Sequence, residues 1–256
     1  MNLNGEAHIS RTAIKVPAVT LGFWIIKILA TTLGETAGDT VSMSWNMGYL
    51  VGTALFGAAL VALVALQIRA PGFRPWLYWA TIIASTTAGT TMADFATRSL
   101  GIGYAGGSAL LLGLVAAALF AWHRTTGSIA VDSVADARSE AFYWLTITFS
   151  QTLGTALGDW TADTGGLGYL GGATLFAVGL AALVGAWRFT MANRVALFWA
   201  AFILTRPLGA TVGDFLDKPL AHGGLDLSRP LASLALAVVI ATLIALLPQR
   251  AAAKPH

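Results

Sequence analysis

Apolar residues fill the chain in eight long blocks separated by short stretches rich in Gly, Pro, Asp and Arg. Such blocks reach about eighteen residues or more, enough to cross about 30 Å of hydrocarbon. They predict helices at roughly 18–39, 47–67, 76–95, 101–122, 141–160, 168–187, 195–215 and 229–248. Polar positions inside the blocks recur in register. Trp24, Trp79, Trp144 and Trp199 each precede an aspartate by fifteen residues, namely Asp39, Asp94, Asp159 and Asp214. Ten residues after each Trp stands Gly34, Gly89, Gly154 or Gly209, and nine after each Asp stands Gly48, Gly103, Gly168 or Gly223. Four aligned positions in four copies mark an internally repeated chain.

Each copy holds two helices, so the chain returns to its starting side before the next begins. The pattern therefore predicts an all-α integral membrane protein of eight spans, arranged as four parallel two-helix repeats (18–67, 76–122, 141–187 and 195–248). Residues 1–17 form a polar N-terminal segment, 18–248 one transmembrane domain and 249–256 a short tail. Basic residues gather at the termini and between repeats (Arg11, Lys15, Arg69, Arg74, Arg124, Arg138, Arg188, Arg194, Arg250, Lys254). The opposite side holds Arg98, Lys218 and Arg229 beside Asp163, Asp217 and Asp226. The positive-inside rule then puts both termini in the cytoplasm, as expected for a bacterial inner-membrane protein without a cleavable signal pattern.

Composition agrees with the pattern: 56% hydrophobic, 11% charged, mean hydropathy +0.72. A soluble domain carries about 25% charged residues. The absence of cysteine removes thiolate ligands, so any metal here must be held by oxygen or by one of four histidines. The net charge of +3 reflects loop residues and points to no nucleic-acid partner.

The chemistry lies in the acids. "LGETAGDTVS", "AGTTMADFAT", "LGTALGDWTA" and "LGATVGDFLD" each end a helix with a buried-looking aspartate, and the first adds Glu35 where the others have Thr90, Thr155 and Ala210. A charge within a span costs at least about 2.5 kcal/mol, so such groups pair, bind an ion or share protons. Glu35, Asp39, Asp94, Asp159 and Asp214 are candidate metal- or proton-binding groups, with Lys27 and Arg206 as charge partners. Thr36, Thr90, Thr155 and Thr211 are candidate oxygen ligands; Gly34, Gly89, Gly154 and Gly209 permit close packing or a helix break. Arg206 precedes Pro207, where a kink is expected. The bland alternative is that each Asp only caps the chain that follows it. No nucleophile elbow, His-Glu-x-x-His or phosphate loop occurs, so no enzyme is expected.

"KVPAVTLGFWIIKILATTLGETAGD" and "TRPLGATVGD" resemble a family of uncharacterised bacterial multi-pass membrane-anchored proteins, over nearly the whole chain. "ETAGDT" is also loosely similar to manganese and calcium transporters carrying Glu-x-Gly-Asp-Lys-Ser/Thr, with an extra residue after the Glu and Thr40 in place of their Lys. That likeness carries over only to Glu35, Asp39 and Thr40. It implies a secondary transporter, an exporter by analogy, of Mn²⁺, Ca²⁺ or Mg²⁺ coupled to protons. The expected partners are the bilayer, the metal cation and the proton, with homo-oligomers left open and no covalently bound cofactor. The rivals are a non-transporting scaffold or sensor and a transporter of a small organic ion.

Overall fold

A computed structural model describes residues 14–252; His8, Arg11, Lys254 and His256 lie outside the described residues. Eight long helices follow the predicted order: α1 (Leu21–Asp39), α2 (Gly48–Arg69), α3 (Pro75–Asp94), α4 (Tyr104–Thr126), α5 (Ala137–Asp159), α6 (Gly168–Phe189), α7 (Arg194–Asp217) and α8 (Arg229–Leu246). Beyond helices, the described residues form one isolated antiparallel bridge, Pro17 to Ala251, which ties the two ends of the chain together.

Local chemistry sets the odd helices' starts. The Thr20 hydroxyl accepts from the Phe23 amide, Asp136 from the Arg138 and Ser139 amides, and Asn193 from the Ala196 amide, while Pro75 opens α3. Their ends are more unusual. After Asp39, Asp94 and Asp159 the coil widens into one π-helical turn: Thr40–Ser44, Phe95–Ser99 and Trp160–Thr164. The recurrent glycine nine residues past each Asp then takes a left-handed backbone, φ 77° at Gly48, 73° at Gly103, 64° at Gly168 and 82° at Gly223. A side chain is disfavoured at such a φ, which accounts for that part of the repeat.

The four odd helices close a ring: α1 packs on α3, α3 on α5, α5 on α7 and α7 on α1. Each even helix then packs on the odd helix of the following copy, α2 on α3, α4 on α5, α6 on α7, and α8 back on α1. Small residues make the ring tight. A methyl group on Gly34 would collide with Thr86, on Gly89 with Gln151, on Gly154 with Arg206 and on Gly209 with Thr31, so one contact recurs between successive odd helices all the way round. In lipid, where apolar burial gives little drive between helices, close backbone approach of this kind supplies the packing.

The outer helices show large apolar side chains to the outside, among them Leu50, Val61, Phe120, Val178 and Val238. Five helices (α2, α4, α6, α7 and α8) are long and apolar enough to cross a membrane. Together with the eight-helix all-α fold, this makes the chain a membrane protein with transmembrane helices.

Trp79, Trp144 and Trp199 are buried in an aromatic cluster with Tyr78, Tyr143 and Phe198 and pack one end of the bundle. α7 runs through Pro207 as one helix, and the Thr211 hydroxyl donates to the Pro207 carbonyl.

A candidate ion site at the carboxyl ends of the inner helices

Reading down the ring from the tryptophan end, buried side chains come in levels four residues apart. Phe23, Tyr78, Tyr143 and Phe198 form the first level, and Lys27, Ile82, Ile147 and Phe202 the second. Thr31, Thr86, Gln151 and Arg206 follow, then Glu35, Thr90, Thr155 and Ala210, and last the four aspartates. Chemistry therefore passes from aromatic to hydroxyl and amide to carboxylate along the ring.

At the fourth level Arg206 reaches across three helices. Its Nη2 pairs with Glu35 Oε2 at 2.9 Å and donates to the Thr90 and Thr155 hydroxyls at 2.6 and 2.5 Å. The Thr90 hydroxyl also lies 3.3 Å from Glu35 Oε2. Lys27, one level beyond Thr31, lies over the Phe202 ring at 4.1 Å and donates to the Thr205 hydroxyl at 3.3 Å.

The aspartates meet in two pairs, each bridged by one cation. Arg98 holds Asp94 at 2.9 Å and Asp159 at 3.2 Å. Lys218 holds Asp39 at 2.5 Å and Asp214 at 3.0 Å, with Asp217 at 4.0 Å. Arg229 adds contacts to Asp217 at 3.4 Å and Asp39 at 3.9 Å. Both bridging cations stand four residues after an aspartate, Asp94 to Arg98 and Asp214 to Lys218, one helical turn away. Sequence reasoning assigned Arg98, Lys218 and Arg229 to the loop side and did not join them to the acids; that four-residue spacing was the signal. The balance changes accordingly. At the carboxyl ends of the odd helices six buried carboxylates, with Asp217 included, stand with four cationic side chains, Arg98, Arg206, Lys218 and Arg229, while Lys27 lies deeper in the ring; the sequence reading counted five against two.

The structure brings Glu35, Asp39 and Asp214 closest: one carboxylate oxygen from each lies within 4.8 Å of the other two, and all three residues are buried. Asp39 Oδ1 has no hydrogen-bond partner among the described residues. A surface hollow of about 470 Å³, lined by residues that include Ser44, Asp217, Asp226 and Arg229, adjoins them through Arg229, which lies 3.9 Å from Asp39. Of the candidate hydroxyl ligands, Thr90 and Thr155 belong to the Arg206 cluster. Thr36 donates to the Leu33 carbonyl and accepts from Ser233 of α8, and Thr211 bonds its own helix. Such a site can hold a hard cation on oxygen ligands, or protons on closely spaced carboxylates.

The sequence matches the family described as "Repeat of Unknown Function (DUF347)" four times, over residues 22–72, 77–128, 142–193 and 197–249. Each match begins in or just before an odd helix and runs to the end of the next even one. No curated protein and no solved structure matches the chain. With four copies of that repeat over most of its length, the chain belongs to the DUF347 family.

Proposed function

We propose that this protein is a secondary transporter of the bacterial inner membrane that exports a divalent cation such as Mn²⁺, Ca²⁺ or Mg²⁺ in exchange for protons. In this reading its eight helices are four parallel two-helix repeats around one axis along the membrane normal, with both termini cytoplasmic. The observation that carries it is the convergence of Glu35, Asp39 and Asp214, buried within 4.8 Å of one another and next to the hollow lined by Asp217 and Arg229. Lys218 is then a tethered counter-ion. It holds the carboxylates together when no substrate is present and withdraws when a divalent ion bridges Asp39 and Asp214. Protons returning to those carboxylates release the ion. Asp94 and Asp159, held by Arg98, take up and give back protons.

The test is Mn²⁺, Ca²⁺ and Mg²⁺ flux in proteoliposomes with an imposed pH gradient. Flux that follows the gradient and falls at least tenfold in Asp39→Asn and Asp214→Asn is the expected result. Flux retained in both variants rules the site out.

One observation favours a second reading, a static scaffold or sensor: each of the four aspartates already has an ion-pair partner. A scaffold predicts that the same substitutions lower the unfolding temperature while wild-type vesicles move none of the three ions.

A further inference from the structure

The transport reading leaves unexplained a set of polar groups buried between the aspartates and the opposite end of the bundle. On α5 alone they are Glu140, Tyr143, Thr146, Ser150, Gln151, Thr155 and Asp159, each at most 3% exposed. The two carboxylates at the ends of this series are nineteen residues apart, about 28 Å at helical rise, close to the thickness of a hydrocarbon core. On α3, packed against α5, Tyr78, Thr81, Ser85, Thr86, Thr90 and Asp94 are buried at matching levels. On α1 the buried polar run starts lower, at Lys27, with Phe23 and Ile26 filling the end beyond it, and on α7 it starts only at Thr205, below Phe198 and Phe202.

Several of these groups have no partner among the described residues: Thr146 Oγ1, Ser150 Oγ, both polar atoms of the Gln151 amide, Thr86 Oγ1, and Nε and Nη1 of Arg206. A buried, unsatisfied polar group costs about 1–3 kcal/mol, and native proteins meet that demand with ordered water. Above and below, the chain of polar contacts is made. The Tyr78 and Tyr143 hydroxyls are 2.6 Å apart, Glu140 pairs with Lys15 at 2.9 Å, and Arg98 joins Asp94 to Asp159.

We infer that α5, flanked by α3, carries a water-supported proton path from the Asp94–Arg98–Asp159 cluster to Glu140 at the other side of the membrane. This inference rests on the proton-exchange reading above and gives it a route: the cation uses the Lys218 cluster while protons use α5. A proton leaves the Asp159 carboxyl for water between Thr155 and Gln151. It then passes by way of the Ser150 and Thr146 hydroxyls and the tyrosine pair, and is taken up by the Glu140 carboxylate. Each hydroxyl or water gives one proton as it receives another, so no group on the way changes its net charge. Arg206 Nη2, bonded to both Thr90 and Thr155, lies across the route and interrupts it in this conformation.

The experiment uses full-length protein in vesicles holding a trapped pH dye, with the membrane potential clamped by potassium and valinomycin, with and without Mn²⁺. The variants are Thr146→Val with Ser150→Ala, and separately Gln151→Leu, which keeps the Cβ that lies over Gly89. Removing unpartnered hydroxyls leaves thermal stability equal or higher, so a merely structural role predicts no change in proton flux. The expected result is proton flux reduced at least tenfold in both variants, with Mn²⁺ binding by titration unchanged. Unchanged proton flux in both overturns the path and leaves the cation site standing. Wild-type Mn²⁺ flux without proton movement does the same. Wild-type vesicles that pass neither ion overturn both readings.

Discussion

The two carboxylate pairs have the same ancestry in the repeat and different surroundings. On the Arg98 side two aspartates share one guanidinium, whose side chain is 32% exposed. On the Lys218 side three aspartates share one ammonium that is 11% exposed, with Arg229 behind it and the surface hollow alongside. Arginine is a fixed planar fork that suits a permanent bridge, whereas lysine is a single point charge on a flexible stem. The fourth copy also lacks the π turn of the other three: α7 continues to Asp217, and α8 starts six residues after Gly223, where its counterparts start at the repeat glycine or one residue past it. One copy that differs from the other three thus gives a second kind of carboxylate cluster in the same frame, one bridged by an arginine fork and one by a lysine.

The largest effect expected from testing this contrast is on stability. Lys218→Met leaves Asp39, Asp214 and Asp217 with Arg229 and the more distant Arg206 as the remaining cations and costs about 3–5 kcal/mol, the range for breaking a buried ion pair. Arg98→Met costs less, since water reaches that side chain. Equal losses of unfolding temperature in detergent would erase the distinction between the halves. Next in size is the rescue: Lys218→Met combined with Asp39→Asn recovers about 1–3 kcal/mol of that loss in a double-mutant cycle. The corresponding cycle of Arg98→Met with Asp94→Asn recovers less. Gly223→Ala costs about 1–2 kcal/mol, because a methyl group enters a left-handed helical backbone at φ 82° and ψ 14°. Gly103→Ala costs more, since φ 73° with ψ 163° is a region open almost only to glycine; equal losses in unfolding measurements would overturn that ranking.

The smallest effect concerns a cap. Asp136 opens α5, a helix of the Arg98 side, and its bonds from the Ser139 hydroxyl and amide and the Arg138 amide hold its carboxyl below the usual range. A carboxyl whose pKa is depressed by folding stabilises the fold above its unfolded value of about 4 and loses that contribution as the pH falls through its folded value. Asp136→Ala costs about 1 kcal/mol at neutral pH. The difference from wild type narrows below about pH 4. Thr20 and Asn193, which cap α1 and α7, carry no charge and predict no such narrowing.

Much of this was legible in sequence because bilayer length and the tryptophan–aspartate spacing fix helices and register together. The eight predicted spans agree with the helices to within a few residues, and the glycine ten residues after each Trp is the point of closest packing in all four copies. Arg206 was readable as a partner for a carboxylate, since an intramembrane arginine beside acids has few alternatives. The pairing of the aspartates was not. It depends on side chains that lie past the helix ends, where Arg98 sits in a π turn and Lys218 follows α7 directly, and apolar pattern says nothing about where such residues reach. Nor does pattern reveal that each outer helix covers the next copy's inner helix rather than its own, because short loops allow both arrangements.

That last arrangement has a consequence for how the protein is made. α8 covers α1, so of these eight helices the first to be made receives its cover from the eighth. About 190 residues separate the end of α1 from the start of α8, which at 5–20 residues per second is roughly 10–40 s of synthesis. For most of that interval Glu35 and Asp39 lack Arg206 and Lys218, the charges that balance them, and the ring of odd helices closes only once α7 is made, with the cover of α1 following it.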